Sequence, residues 1–377
     1  MANLASPLST YSDTTPQKRV ITDYVSLIDP SDAPLVQALG GLDGGASKFD
    51  LRNWPGTNPE WLEDTLTPLT GTLTVSTAST ATVLTVDDPK IYQEGHILLA
   101  DSEKMWVSSV SVSDSKVTVT RAFGSTTSAS HATTANLIKI VGMARLEGAT
   151  SDDLGFTDRT SNSNFTQIFH QEIKVSRTQS QINQYGIADE FDYQAAKAIP
   201  SLMRLIELQT FSGNVRGAGT ASTPRSMGGL ATFITDNLSS AATLTFAKFI
   251  APAALSYTDG GTGPWIAPIS PTNLAKFDAL FDTSAYERIN DFNIDSVGLD
   301  IRRVRTPYGA IDLLLDRWAT DTEIWFIKPE NAGFVTFYPF TQEPLAKTGD
   351  YQYGEVVGEF SFLCKLDKSH AGCTAVS

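Results

Sequence analysis

The stretch FTQIFHQEIKVSRTQSQINQYGIADEFDYQAAKAIPSLMRLIELQTFSG, residues 165–213, joins an extended segment to a long helix, and its reading decides the fold. In its first part, residues 165–182, Ile168, Glu172, Lys174, Ser176 and Thr178 share one face of a strand. Phe169, Ile173 and Val175 interrupt strict alternation, and Tyr185-Gly186 makes the turn. In its second part Asp189 stands as N-cap with acids in the first turn. Ala195, Ala198/Ile199, Leu202, Leu205/Ile206 and Gln209 then recur at helical spacing, and Gly213 closes the run. Such a helix is roughly 35 Å long, and Pro200 is expected to kink it.

Downstream, residues 214–229 (NVRGAGTASTPRSMGG) form a Gly/Ser/Thr loop. One helix is expected from about Thr245 to Tyr257, stopped by Asp259-Gly260-Gly261. Another starts at Ser270-Pro271, with proline at the first helical position, and runs to about Asp282. Trp265 to Ile269 between them reads as a buried strand. The last third is mainly strand: Val297 to Thr306, Ala310 to Leu315, Ile324 to Ile327, Phe334 to Tyr338 and Val356 to Leu366. Pro307-Tyr308-Gly309 marks a hairpin turn.

Upstream, residues 1 to about 20 are polar and rich in Ser and Thr, an arm that cannot fold alone. Ser31 or Asp32 is placed to cap a short helix carrying Leu35, Val36 and Leu39, ended by Gly40. Residues 48–64 read as a strand followed by loop. From Thr65 the style changes to short period-2 runs rich in Val, Ile, Leu and Thr. Strands are expected at Val75 to Thr77, Thr82 to Val86, Ile97 to Leu99, Met105 to Val112, Lys116 to Thr120 and Leu137 to Val141. They describe a small all-β sandwich or barrel inserted within another domain. The whole is α+β with a β-insertion.

Bulk composition narrows the function. The 377 residues are long enough for two or three cores, or for one core with a large insertion, and only 19% are charged, which suits a chain that buries surface against copies of itself. The net charge of -14 argues against a dedicated nucleic-acid binder, whose affinity comes from cations. An acidic wall would instead let packed DNA slide, although solubility alone also explains the charge. Cys364 and Cys373 make no disulfide framework, so a reducing compartment fits. His96, His131, His170 and His370 are scattered, and no metal or cofactor is expected. The N-terminus lacks a signal peptide's pattern and no apolar run reaches membrane-spanning length, so a soluble protein made in the cytoplasm is expected.

No catalytic motif stands out: G-x-S-x-G, H-E-x-x-H, a Walker loop and a dinucleotide fingerprint are all missing from the sequence. Asp152-Asp153, Glu323 and His170 are the remaining candidates, each more simply read as a solvated or strand-face residue. Arg302, Arg303 and Arg305 form the densest basic patch. On a strand Arg303 and Arg305 share a face and Arg302 points the other way. The patch suits an inter-subunit or DNA-facing contact, or simply a strand edge blunted by charge.

Several segments together resemble one subgroup of tailed-bacteriophage major capsid proteins. They are TTPQKRVITDYVSLIDPSDAPLVQALG, EKMWVSSV, VTVTRAFGSTTSASHA, NFTQIFHQEIKVSRTQSQINQYG, the Glu190 to Gly213 helix with RLIELQTFSG, and PRSMGGL. The resemblance covers nearly the whole chain and rests on order and spacing, since each motif alone is weak. It implies the Hong Kong 97-type capsid fold with a β-domain inserted in the extended loop. Residues 1–45 would be the N-terminal arm, 46–66 and 146–186 the extended loop, and 67–145 the inserted β-domain. Residues 187–244 and 341–377 would be the peripheral domain with its spine helix, and 245–340 the axial domain. It implies hexamers and pentamers of a shell around double-stranded DNA, bound without sequence specificity, with no membrane. The missing charged helical N-terminal segment implies a separate scaffolding protein, beside a portal and, in some relatives, a decoration protein. No residue matches the Lys-Asn cross-link of some relatives. Two other readings stand: a virion decoration or receptor-binding protein, against which the long helix speaks, and a hydrolase with an unrecognised site.

Overall fold

The computed structural model describes residues 32–42, 56–133, 137–148, 157–182, 186–212, 216–240, 242–283 and 301–376. Most of the expected arm, the strand expected from Lys48, Ser31, Asp152-Asp153, Tyr185, Gly213 and the start of the strand expected from Val297 lie outside them. The helices are α1 (Pro34–Ala38), α2 (Arg177–Gln181), α3 (Glu190–Phe211), α4 (Leu230–Phe233), α5 (Phe246–Thr258) and α6 (Pro271–Thr283). The first strands are β1 (Glu60–Glu63), β2 (Thr70–Thr72), β3 (Val83–Thr85), β4 (His96–Ala100), β5 (Glu103–Ser111), β6 (Lys116–Thr120), β7 (Leu137–Met143) and β8 (Thr160–Ser163). Then come β9 (Gln167–Ser176), β10 (Leu238–Ser240), β11 (Trp265–Ile269), β12 (Ile301–Thr306) and β13 (Gly309–Leu315). The last are β14 (Ile324–Phe326), β15 (Ala332–Pro344), β16 (Tyr351–Cys364) and β17 (Ala371–Thr374). The chain divides into two compact units, Leu62–Asn162 and the rest.

The Leu62–Asn162 unit is a six-stranded antiparallel sheet in the order β2-β7-β4-β5-β6-β3. Its end strands meet: Leu73 bridges Val86, Thr74 N–H donates to Thr85 O at 3.0 Å and Asp87 N–H to Thr72 O at 3.1 Å. The sheet thus closes into a barrel, which removes its exposed edges. Alternate residues fill it, among them Leu84, Leu98, Met105, Val107, Val117, Val119 and Ile138. The strand expected at Val75 to Thr77 is corrected to Thr70–Thr72. Leu73 is buried but Val75 is exposed, because the chain leaves the sheet once the Leu73–Val86 bridge is made.

A buried carboxylate ties the barrel's loops together. Glu103 receives the Arg121 guanidinium at 2.8 and 2.7 Å, the N–H groups of Ala122 and Ala129 at 3.1 and 2.9 Å, and faces His131 Nε2 at 3.1 Å. Arg121 also donates to Ala78 O and Ala81 O. Burial pushes the Glu103 carboxyl up, but Arg121 and the backbone donors outweigh it and hold it at about 2.

In the other unit, the first core lies between α3 and the antiparallel sheet β15-β16-β9. Asp189 caps α3 as expected, accepting from Phe191 N–H at 2.8 Å and Asp192 N–H at 3.3 Å. Phe191, Ala195, Ala198, Leu202 and Ile206 form its buried stripe, while Ile199 and Leu205 are each 44% exposed. The helix continues through Pro200. The Ala196 carbonyl, which proline leaves without a partner N–H, belongs to an exposed residue where water can satisfy it. On β9 the interrupting residues Phe169, Ile173 and Val175 are the core face, and the chain becomes helical at Arg177, where Ser176 caps α2. The expected cap of α1 is corrected too. Ala33 holds the N-cap position without a side-chain bond, and Asp32 pairs with Arg317 at 3.4 Å instead. The cap comes from Glu207 of α3, whose oxygens accept Leu35 N–H at 2.7 Å and Val36 N–H at 3.0 Å.

The second core gathers α5, α6, the β11-β13-β12 sheet and the β10-β17-β14 sheet. Phe249 sits between Phe277 and Phe326 at centroid distances of 4.7 and 5.1 Å. Strand β11 runs parallel to β13, and β13 pairs antiparallel with β12 across the Pro307-Tyr308 turn. His370 is wholly buried; Nδ1 accepts Lys328 N–H at 3.1 Å, which leaves Nε2–H to donate to Lys365 O at 3.0 Å. Burial, with Lys328 nearby, pushes the imidazole down to about 4.

Two predictions follow from these buried polar groups. Glu103→Ala leaves the Arg121 guanidinium buried without its partner and should cost about 3–5 kcal/mol in urea unfolding; a cost within the range of a surface pair, below about 1 kcal/mol, would contradict it. His370 has a depressed pKa, so the unfolded chain takes up a proton first as pH falls. Its contribution to stability is complete above 6.5 and is lost between 6.5 and about 4. An imidazole NMR titration with its midpoint near 6.5 would refute the buried neutral state.

Candidate assembly surfaces

Exposed apolar side chains occur throughout the described residues, and four leucines among them stand where the chain approaches and leaves the barrel. Leu62, Leu66 and Leu69 precede β2, and Leu146 follows β7; all four are exposed, Leu66 by 94%. Singly exposed leucines are common. Leu62 lies on β1 and the other three on segments joining the strands, and within the subunit none of the four is covered. The polar companions on these segments bond locally: Thr157 donates to Asp64 Oδ1 and Thr65 O at 3.2 and 2.7 Å, and Asn162 to Glu63 at 3.0 Å.

Where the chain runs into β9, a buried asparagine fixes its path. Asn164 Nδ2 donates to Phe362 O at 2.6 Å and Gly228 O at 3.2 Å. Its Oδ1 accepts the N–H groups of Phe165 and Gly228, both at 2.9 Å. Beside it the buried Glu359 accepts from Thr166 Oγ1 and from Arg225 Nη2, the latter at 2.6 Å. The 224–229 loop can lie this close because position 229 is glycine: a Cβ there would stand 2.4 Å from Thr210 O.

Arg302, Arg303 and Arg305 lie on β12, at the edge of its sheet. Arg303 stands opposite Asp312 and grips it with two bonds, Nε to Oδ1 at 2.7 Å and Nη2 to Oδ2 at 3.0 Å. Arg305 is exposed and stands opposite Ala310. Arg302 stands opposite Leu313, and its side chain lies outside the described residues. One charge of the expected patch is therefore neutralised within the subunit.

Among the described residues the candidate catalytic groups stand on separate parts of the fold, His170 on β9 and Glu323 directly before β14. His170 meets Glu355 at 2.8 Å across exposed neighbouring strands. Burial pushes the Glu323 carboxyl up. An open groove of about 500 Å³ is lined by Gln171, Lys174, Gln179, Glu190, Gln194 and their neighbours on β9. It is polar and does not exclude water. Among the described residues no three His, Cys, Asp or Glu side chains are grouped to hold a metal, and no helix is long and apolar enough to cross a membrane. Both cysteines are buried free thiols, and burial pushes Cys373 up to about 12.

Sequence reasoning missed Glu103, Asn164 and Glu207, whose partners lie up to 198 residues away. For Glu207 a signal existed: a carboxylate directly after Ile206 on the buried stripe of α3.

The family model described as SU10 major capsid protein matches residues 8–377. No curated protein sequence matches the chain. Among solved structures, the cyanophage A-1(L) capsid asymmetric unit shares the fold with a TM-score of 0.58 at 12% identity, covering 98% of this chain and 99% of that one. The capsid of the native GTA particle gives 0.55 at 10% identity, with both chains covered in full (100%). The Mycobacterium phage Bobi structure gives 0.51 at 9% identity, covering 98% and 99%. At these identities the likeness shows the fold, which is the Hong Kong 97-type capsid fold. Taken with the family match along almost its entire length, this chain belongs to the SU10 major capsid protein family: it is a shell-forming structural protein of a phage virion and not an enzyme.

Proposed function

We propose that the chain builds an icosahedral shell of pentamers and hexamers that encloses the double-stranded DNA of a tailed bacteriophage, assembled in the host cytoplasm. The observation that carries the reading is the family match together with Leu62, Leu66, Leu69 and Leu146 in solvent. Closed shells supply what these side chains lack, because every subunit is covered by identical neighbours.

In this reading residues 1–45 are the arm, 46–66 and 146–186 the extended loop, and the barrel within 67–145 its insertion. The core of α3 with β9, β15 and β16 serves as the peripheral domain, and the core of α5, α6 and β11 as the axial domain. The packing suggests two refinements. Ala332–Pro344 goes with the first core through Phe334, and Ala371–Thr374 with the second through Ala371 and Cys373. A separate scaffolding protein, a portal and, where one is present, a decoration protein would complete assembly. The acidic chain holds DNA without reading its sequence. The face of β12 with Arg303 and Arg305 is an inter-subunit contact, since Asp312 already neutralises one of its cations.

Leu66→Asp changes a side chain that touches little of its own subunit, so unfolding free energy should move by no more than about 0.5 kcal/mol. Negative-stain images of the wild-type chain should show rings, tubes or shells, and the variant should give none. Assembly of Leu66→Asp at wild-type yield would count against covered connectors, and a lasting wild-type monomer against the shell itself. Arg305→Glu should slow assembly at low salt while leaving the DNA content of finished particles unchanged; lost DNA with normal assembly would place the patch on the genome instead.

A further inference from the structure

Residues 32–42 are held on the body by groups far away in sequence. Besides the Glu207 cap of α1, Trp318 Nε1 donates to Asp32 O at 2.8 Å, and Thr336 Oγ1 donates to Leu42 O. Glu207 is fully buried, and so is a second carboxyl, Asp316, directly after β13, whose charge acts on Glu207. Asp316 Oδ1 accepts Trp318 N–H at 2.8 Å, and its buried Oδ2 meets no fixed N–H or O–H donor. Both Glu207 oxygens already accept backbone N–H groups. Two buried carboxylates that act on each other resist being ionised together, and one proton held by the pair gives the buried Asp316 Oδ2 the donor it otherwise lacks.

Few charges surround the pair among the described residues. Asp32 adds negative charge on the Asp316 side and is paired with Arg317 at 3.4 Å. The Arg204 guanidinium, one turn before Glu207 on α3, lies over the Trp318 ring at 5.6 Å. Helix α1 brings no charged side chain of its own.

We propose that the proton shared by Glu207 and Asp316 is a latch for the segment leading out of the N-terminal arm. With one proton on the pair, Glu207 caps α1 and residues 32–42 stay docked. Loss of that proton puts two negative charges in one buried site and releases residues 32–42 from the body. The direction of the pair's titration agrees. Burial pushes both carboxyls up, and the Asp316 charge pushes Glu207 further, well above the ordinary range. For a raised carboxyl the folded state keeps the proton longer than the unfolded chain. Docking is therefore complete in acid and weakens as pH rises through the folded-state value.

The test is amide hydrogen exchange at Leu35 and Val36 in the purified full-length chain across a pH series, corrected for intrinsic exchange. Wild-type protection should fall by about tenfold per pH unit once the pair begins to ionise. In Asp316→Asn the amide Oδ1 still accepts from Trp318 and Nδ2 replaces the proton toward Glu207, so protection should stay flat. PH-independent protection in the wild type, or an equal fall in Asp316→Asn, overturns the latch. Should that variant not fold, infrared spectra of the wild type decide: a protonated-carboxyl band at neutral pH that disappears on alkaline titration is expected, and its absence at neutral pH overturns the proposal.

Discussion

The first core of the larger unit depends on one packing event, the burial of the α3 stripe against β9, β16 and β15. Phe191, Ala195, Ala198, Leu202 and Ile206 meet a sheet whose inner face carries Phe169, Phe334, Phe360 and Phe362. A fully buried side chain of this kind contributes roughly 1.5–3 kcal/mol, so this layer outweighs any single polar contact around it. The polar anchors depend on it nonetheless. Asn164 reaches Phe362 O only because β16 is held in place, and Glu207 reaches α1 only because α3 presents it inward.

The barrel solves a different problem. An open six-stranded sheet would offer two bare edges to every neighbouring copy, which is dangerous for a protein made to meet its copies at high concentration. The Leu73–Val86 bridge closes it, and Glu103 with Arg121 fastens the loops at one end. The connecting segments have no such device. Their leucines stay exposed in the subunit, and these are what neighbours would cover in the proposed shell.

Much of this was legible in the residues themselves. Local signals placed α3 by Asp189, α5 by Thr245 and α6 by Ser270-Pro271, and Trp265 to Ile269 is a buried strand with the bounds read from sequence. The pattern could not choose between Ala198 and Ile199, or between Leu205 and Ile206, because adjacent apolar residues both fit a helical stripe until the sheet selects one. Strands β15 and β16 run longer than expected because their polar ends, such as Gln342-Glu343 and Gln352, are paired by backbone rather than by side chain. The cap of α1 was assigned to its neighbours in sequence and comes from 172 residues away, where no local rule reaches. The arginine patch was legible as sequence, but its partner Asp312 became visible only through the β12–β13 register.

The most direct measurement is a cryo-EM map of assembled particles at side-chain detail. Leu62, Leu66, Leu69 and Leu146 should each be packed against an adjacent subunit. Finding them facing solvent in the finished particle, with the connectors clear of every neighbour, would contradict the view that this chain completes itself only among its copies.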